Sequence, residues 1–206
     1  MASSSYYMAL PDNYIYISHL GDSGEYFILP TYPDQVSDSM DSSFSSTNAL
    51  SRSAPIWTYQ HSGPRTVQLS LKLHRDMMDD FNVGVSNVSL EDGDDYVDTL
   101  IKKLQSISVP KYNVTNKAVE PPTVCVRLGE EIFIKGVVSG SIAVSYAKPI
   151  LNNRKYANVD ISFSVYETDP YDATSIAKNG SFRGLTKTMK QGYDDYRSSW
   201  VTKGGL

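Results

Sequence analysis

One stretch limits the possible folds more than any other. Residues 55–76, PIWTYQHSGPRTVQLSLKLHRD, hold the longest clean two-residue alternation in the chain. Val67, Leu69, Leu71 and Leu73 fall on one side, and Thr66, Gln68, Ser70, Lys72 and His74 on the other. Successive side chains of a strand leave opposite faces of the pleat, so the pattern predicts a strand with one face buried and one wet. Ahead of it, Ile56, Trp57, Thr58 and Tyr59 are strand formers, and Ser62-Gly63-Pro64 has turn composition. The two runs are therefore expected to fold back on each other as a hairpin.

A chain of 206 residues with 40% apolar composition can bury one core, so one domain with an appendage is the simplest division: residues 1–170 and 171–206. The first part shows further strand patterns. Residues 14–20 and 25–29 flank Gly21-Asp22-Ser23-Gly24 and read as a hairpin. Residues 34–54 are rich in Ser and Asp, with only Val36, Met40, Phe44 and Leu50 as apolar anchors, and are expected to form an extended loop that orders against a neighbour.

Beyond the central strand, Tyr96, Val97, Leu100, Ile101, Leu104 and Ile107 recur at helical spacing, with acids early and Lys102 and Lys103 late. This predicts one amphipathic helix, about residues 90–107, capped by Ser89 and packed on the sheet. Residues 110–122 read as a polar connection. Strands resume at 123–128, at 131–138 after a Gly129-Glu130 turn, at 141–147, and at 158–167 after a bend at Asn152-Asn153-Arg154. The fold class expected is mainly β (β+α): a split β-barrel or sandwich of antiparallel strands with one packed amphipathic helix.

The groups that carry chemistry are sparse. The single cysteine, Cys125, lies between Val124 and Val126 and reads as a buried structural thiol. His74 to Asp80 brings a histidine near three aspartates, but there is no HExxH and no second histidine in reach. Asp92-Gly93-Asp94-Asp95 lacks the calcium-loop spacing, with no glycine at its sixth place. His19, His61 and His74 have no companions at the spacing of a triad or metal site, and there is no GxSxG, Walker loop or CxxC. No catalytic, cofactor-binding or metal-binding residue is nominated, and the expectation is a protein that is not an enzyme and needs no cofactor.

Charge and aromatics point toward interfaces. The net charge of −4 and pI near 5.3 give no concentrated positive surface for nucleic acid. Fifteen tyrosines against six phenylalanines favour large contacts with polar tips. Residues 171–206 carry six basic and three acidic residues, so this arm is at +3 and the remainder at −7. Its aromatics, Tyr171, Phe182, Tyr193, Tyr196 and Trp200, show no sustained period, which suits an arm docking on an acidic neighbour. The N-terminus MASSSYYMAL has neither the basic nor the apolar region of a signal peptide, and no apolar run spans a bilayer, so assembly in the cytoplasm is expected.

Four stretches together, FILPTYPDQVSDSMDSSFSS, RSAPIWTYQHSGPRTVQLSLKLHRDM, PPTVCVRLGEEIFIKGVVSGSIAVSYAKPI and KYANVDISFSVYETDPYDA, resemble the baseplate hub or tail-tube-initiator proteins of contractile-tailed bacteriophages and related contractile injection systems. The resemblance spans roughly residues 25–173. It implies a β-domain like that of the tail tube. It also implies a structural virion protein, assembled in the host cytoplasm, whose copies form a hexameric ring in the hub that joins or initiates the tube. The partners implied are the protein itself, the tail tube protein and other baseplate hub or wedge proteins, with DNA passing only through the lumen and no membrane. The alternative reading is a β-sandwich module that binds host-surface carbohydrate through exposed Tyr and Trp.

Overall fold

In a computed structural model the chain is described over residues 13–18, 24–83, 88–109, 111–113, 118–120, 122–129 and 131–168. The arm 171–206 and His19 lie outside the described residues. The strands are β1 Asn13–Ser18, β2 Glu25–Ile28, β3 Val36–Thr47, β4 Ile56–His74, β5 Lys111–Asn113, β6 Ala118–Glu120, β7 Thr123–Leu128, β8 Ile132–Ile150 and β9 Tyr156–Glu167. Two helices, α1 Arg75–Asn82 and α2 Tyr96–Ile107, lie between β4 and β5. Seven strands form one antiparallel sheet in the order β2-β1-β7-β8-β9-β4-β3, and β5 pairs with β6 separately. The protein is mainly β with some helix, as the alternations predict.

The central strand has the register read from sequence. Val67, Leu69, Leu71 and Leu73 are buried, and Lys72 is exposed beside Asp34. Their face continues across the sheet through Val159, Ile161, Phe163 and Val165 on β9, Val124 and Val126 on β7, and Ile15 and Ile17 on β1. Onto it α2 lays Val97, Leu100, Ile101, Leu104 and Ile107. Burying each such side chain contributes about 1.5–3 kcal/mol, so this stripe holds the helix in place.

Several boundaries differ from expectation. No hairpin turns at Ser62-Gly63-Pro64: β4 runs unbroken from Ile56 to His74. Two register shifts against β3 follow: the one between Met40 and Ser42 takes up Gly63 and Pro64, and the one between Ser43 and Phe44 takes up Gln60. Each leaves one extra residue on β4, a β-bulge, which is where a sheet tolerates proline. The true partner of this strand is the stretch expected to be an extended loop, 34–54, most of which is the 12-residue strand β3. Ladder pairing along β4 supplies the hydrogen bonds that Ser and Asp cannot obtain from a core.

The runs 131–138 and 141–147 are likewise one strand, β8, whose extra residues form a bulge between Ser139 and Ala143. Gly140 sits in it at φ +86°, a conformation that favours glycine. Gly136 serves close approach: a Cβ there would lie 1.8 Å from the Tyr166 carbonyl oxygen. The polar connection 110–122 contains the β5–β6 pair. The aspartates after His74, Asp76, Asp79 and Asp80, lie in α1. Finally, α2 starts at Tyr96 and is capped by Asp95, whose side chain accepts from the Asp98 amide at 2.8 Å; Ser89 does not cap it.

Helix α1 determines how the sheet closes. It follows directly from β4, near one end of the strand order, yet it touches β2 at the other end. The sheet therefore curls, and α1 fills the split. Met78 enters the main core, while Phe81 packs with Tyr14, Tyr26 and Ile28 on the opposite face of β1 and β2.

Candidate interaction surface

The two edges of the sheet are treated differently. At β2, Asn82 of α1 acts as a side-chain strand: its Oδ1 accepts from the Ile28 amide at 3.0 Å and its Nδ2 donates to the Ile28 carbonyl at 3.0 Å. Nδ2 also donates to the Met78 carbonyl at 2.8 Å, and Asn82 is fully buried. The last residue of that four-residue edge is thereby covered. At β3, twelve residues form the other edge, and among the described residues no strand pairs with its outer side. A long open edge is a template for pairing with another chain.

The β3–β4 hairpin also outgrows the sheet. Strand β9 pairs with β4 from Thr66 to His74, so among the described residues 56–65 of β4 pair with β3 alone. Ten residues at the usual rise make a two-stranded ribbon about 30 Å long. The two bulges restore parity, so the core-facing row of Leu71, Leu69 and Val67 continues into the ribbon as Tyr59 and Trp57. On β3 the same face carries Val36, Asp38, Met40 and Phe44. Here the row is bare: Trp57 is 64% exposed, Tyr59 55%, Phe44 51% and Met40 46%. Phe44 and Tyr59 meet edge to face at 5.5 Å. A two-stranded ribbon is marginal by itself in water, and clustered exposed Trp and Tyr mark surfaces that bind.

Arg65 secures the ribbon's base. The residue is 3% exposed, and its guanidinium donates to both Asp38 oxygens on β3, to the Phe133 carbonyl on β8 at 3.0 Å and to Glu167 on β9 at 3.4 Å. It bridges the gap left where β9 ends. At the opposite end of the sheet, Arg75 and Lys155 share Asp95 and Asp98, tying α1, the start of α2 and the β8–β9 turn together. Burial opposes charge on Asp98, yet hydrogen bonds from Lys155 and Arg75 hold its carboxyl below the usual range. Burial also disfavours the charged form of Lys155, but Asp98 and Asp95 raise it overall. Burial pushes the Asp79 carboxyl up, against the lowering effect of the Tyr96 amide. These groups act as clasps between elements.

The residues weighed for chemistry do not converge. Cys125 is buried on β7 beside Phe133, and burial pushes its thiol well up, away from the reactive thiolate. His61 lies in the ribbon and His74 at the end of β4. Asp94 pairs with Lys102, and Asp95 caps α2. Among the described residues no three His, Cys, Asp or Glu side chains form a metal-sized cluster, and no helix is long and apolar enough to cross a membrane.

Sequence reading missed Phe44, Trp57 and Tyr59 as one surface. Trp57 and Tyr59 carry the alternation of a strand, and the even spacing of Val36, Met40 and Phe44 was a second signal, hidden by the serines between them. No protein-family model matches the chain, and no curated protein matches its sequence.

Proposed function

We propose that this protein is a structural component of a contractile tail baseplate, whose copies form a ring in the hub that joins or initiates the tail tube. The observation that carries the reading is the unequal pair of sheet edges: Asn82 covers Ile28 at the end of the four-residue β2, while the twelve residues of β3 have no outer strand partner among the described residues and run on into the ribbon. A fold that shields one edge and extends the other is built to join something. Main-chain pairing along β3 supplies affinity with little demand on side chains, in keeping with its run of serines. The resemblance of residues 25–173 to hub and tube-initiator proteins supplies the kind of assembly. In this role the protein is not an enzyme, and its partners are further copies, the tube protein and neighbouring baseplate proteins.

Electron microscopy of the purified full chain, alone and mixed with tube protein, tests the reading. Rings or capped tube ends are expected. A second reading, a carbohydrate-binding module, draws on the Phe44, Trp57 and Tyr59 face, since sugars stack on exposed aromatics. A protein that stays monomeric at every concentration and binds glycan would replace the first reading with the second.

A further inference from the structure

The far part of the ribbon differs from the rest of the surface in charge. The chain is at −4 overall, yet residues 42–64 hold Arg52 and no Asp, Glu or Lys. The nearest acids, Asp38 and Asp41, lie at the base, where Asp38 meets Arg65. Water-facing surfaces normally carry charges of both signs at roughly one residue in three or four. This stretch instead shows water its apolar side chains: Phe44, Tyr59 and Trp57 on the inner face, Ile56 at the last rung and Leu50 beyond it. Leu50 is the extreme case. The Arg52 amide donates to the Ala49 carbonyl at 3.2 Å, so Leu50 and Ser51 form the corner of a turn at the ribbon's tip. Turn corners usually take Gly, Pro, Asn, Asp or Ser. Here a leucine stands 99% exposed, two residues from the only full charge of the stretch.

Area argues against a second copy seated on this face. A ribbon two strands wide and about 30 Å long offers about 300 Å². A stable complex takes about 800 Å² per partner. A lipid surface has no such requirement, and its charge fits: anionic headgroups repel an acidic body and attract a tip whose one charge is Arg52. Trp and Tyr settle where headgroups meet acyl chains. From Ile56 to Tyr59 is about 10 Å of strand, which matches the depth of that zone. At this depth the unpaired main-chain groups of β3 stay among wet headgroups and out of hydrocarbon, where each would be costly.

We propose that the tip of the ribbon, Leu50 and Arg52 with Ile56 and Trp57, is a shallow anchor for an anionic bilayer surface. Leu50 and Ile56 enter the boundary of the acyl chains, Trp57 lies at that boundary, and Arg52 meets lipid phosphate. The anchor needs neither the outer edge of β3 nor a ring, so the inference goes beyond the reading above and does not depend on it.

Sedimentation of the full chain with vesicles of phosphatidylglycerol or of phosphatidylcholine tests this. Leu50→Ser and Arg52→Glu change exposed side chains, so both variants should melt with the parent. The parent should bind phosphatidylglycerol, less so in strong salt, and bind phosphatidylcholine weakly. Leu50→Ser should weaken binding to phosphatidylglycerol about fivefold and Arg52→Glu about tenfold. Brominated phosphatidylglycerol should quench the tryptophan emission of the parent, and Trp57→Phe, which leaves Trp200, should remove most of that quenching. A parent that does not bind phosphatidylglycerol overturns the proposal. Equal binding by the parent and both variants, or quenching that survives Trp57→Phe, overturns it in favour of the basic stretch 171–206 as the part that binds. Pelleting without vesicles that Leu50→Ser abolishes overturns it in favour of a second copy at the tip.

Discussion

Arg65 and Asp38 form a two-pronged ion pair across β4 and β3: Nε donates to Oδ1 at 2.9 Å and Nη2 to Oδ2 at 2.6 Å. The arginine is buried, whereas the Asp38 side chain is 42% exposed. The pair marks the level at which the packed sheet becomes a free ribbon.

Arg65→Met should therefore lower stability by about 2–4 kcal/mol, since it strands the Phe133 carbonyl and two carboxylates that the guanidinium serves. Asp38→Asn should cost much less, because water already reaches Asp38 and Arg65 keeps its other acceptors. Denaturant midpoints of the two variants test this order; equal losses would mean that the ion pair, not the bridge to β8, holds the base.

Asn82→Ala should reopen the β2 edge, leaving the Ile28 amide and carbonyl without their side-chain partner, at a cost of about 1–3 kcal/mol. Hydrogen exchange at Ile28 should quicken sharply in the variant. Unchanged exchange there would show that some other group covers the edge.

The Asp98 and Lys155 pair predicts a pH response with a definite sign. Asp98 has a folded-state pKa below its ordinary value of 3.8, so the stabilisation it gives is present above that value and is lost as pH falls through the folded pKa. Melting temperature should drop as pH is lowered below about 4, and Asp98→Asn should flatten that drop. At neutral pH the same variant should cost about 1–3 kcal/mol, moderated because both partners keep some contact with water. Parallel melting curves for parent and variant from pH 4 to 2 would remove Asp98 as the source.

Leu71→Asp should prevent folding, because it places an unpaired charge in the core at a cost of several kcal/mol against a total stability of about 5–15 kcal/mol. Lys72→Asp, one residue along on the wet face, should still fold and melt only modestly below the parent, since it loses the exposed pairing with Asp34 and sets a carboxylate opposite Asp160. Soluble yield and thermal melts of the two proteins check the register directly.

How legible the fold was depended on which interactions are local. Alternation at 66–74, 123–128 and 158–167 and the helical stripe of α2 appear in sequence because each element advertises the face it buries. Those patterns determined the mainly β class, the inward register of Leu71 and the packing of one helix on the sheet. What they left open depends on partners far along the chain. Strand β3 has almost no apolar face of its own and is a strand because β4 offers it a ladder. The turn-like Ser62-Gly63-Pro64 became a single bulge because β3 runs past it, and the chain instead turns back near residues 48–55. Asn82 closes an edge 54 residues away, and Arg65 reaches Phe133 across 68. Local periodicity reports burial of a side chain. It cannot report which main-chain groups a distant residue will satisfy, and that was decided only when the sheet curled around α1.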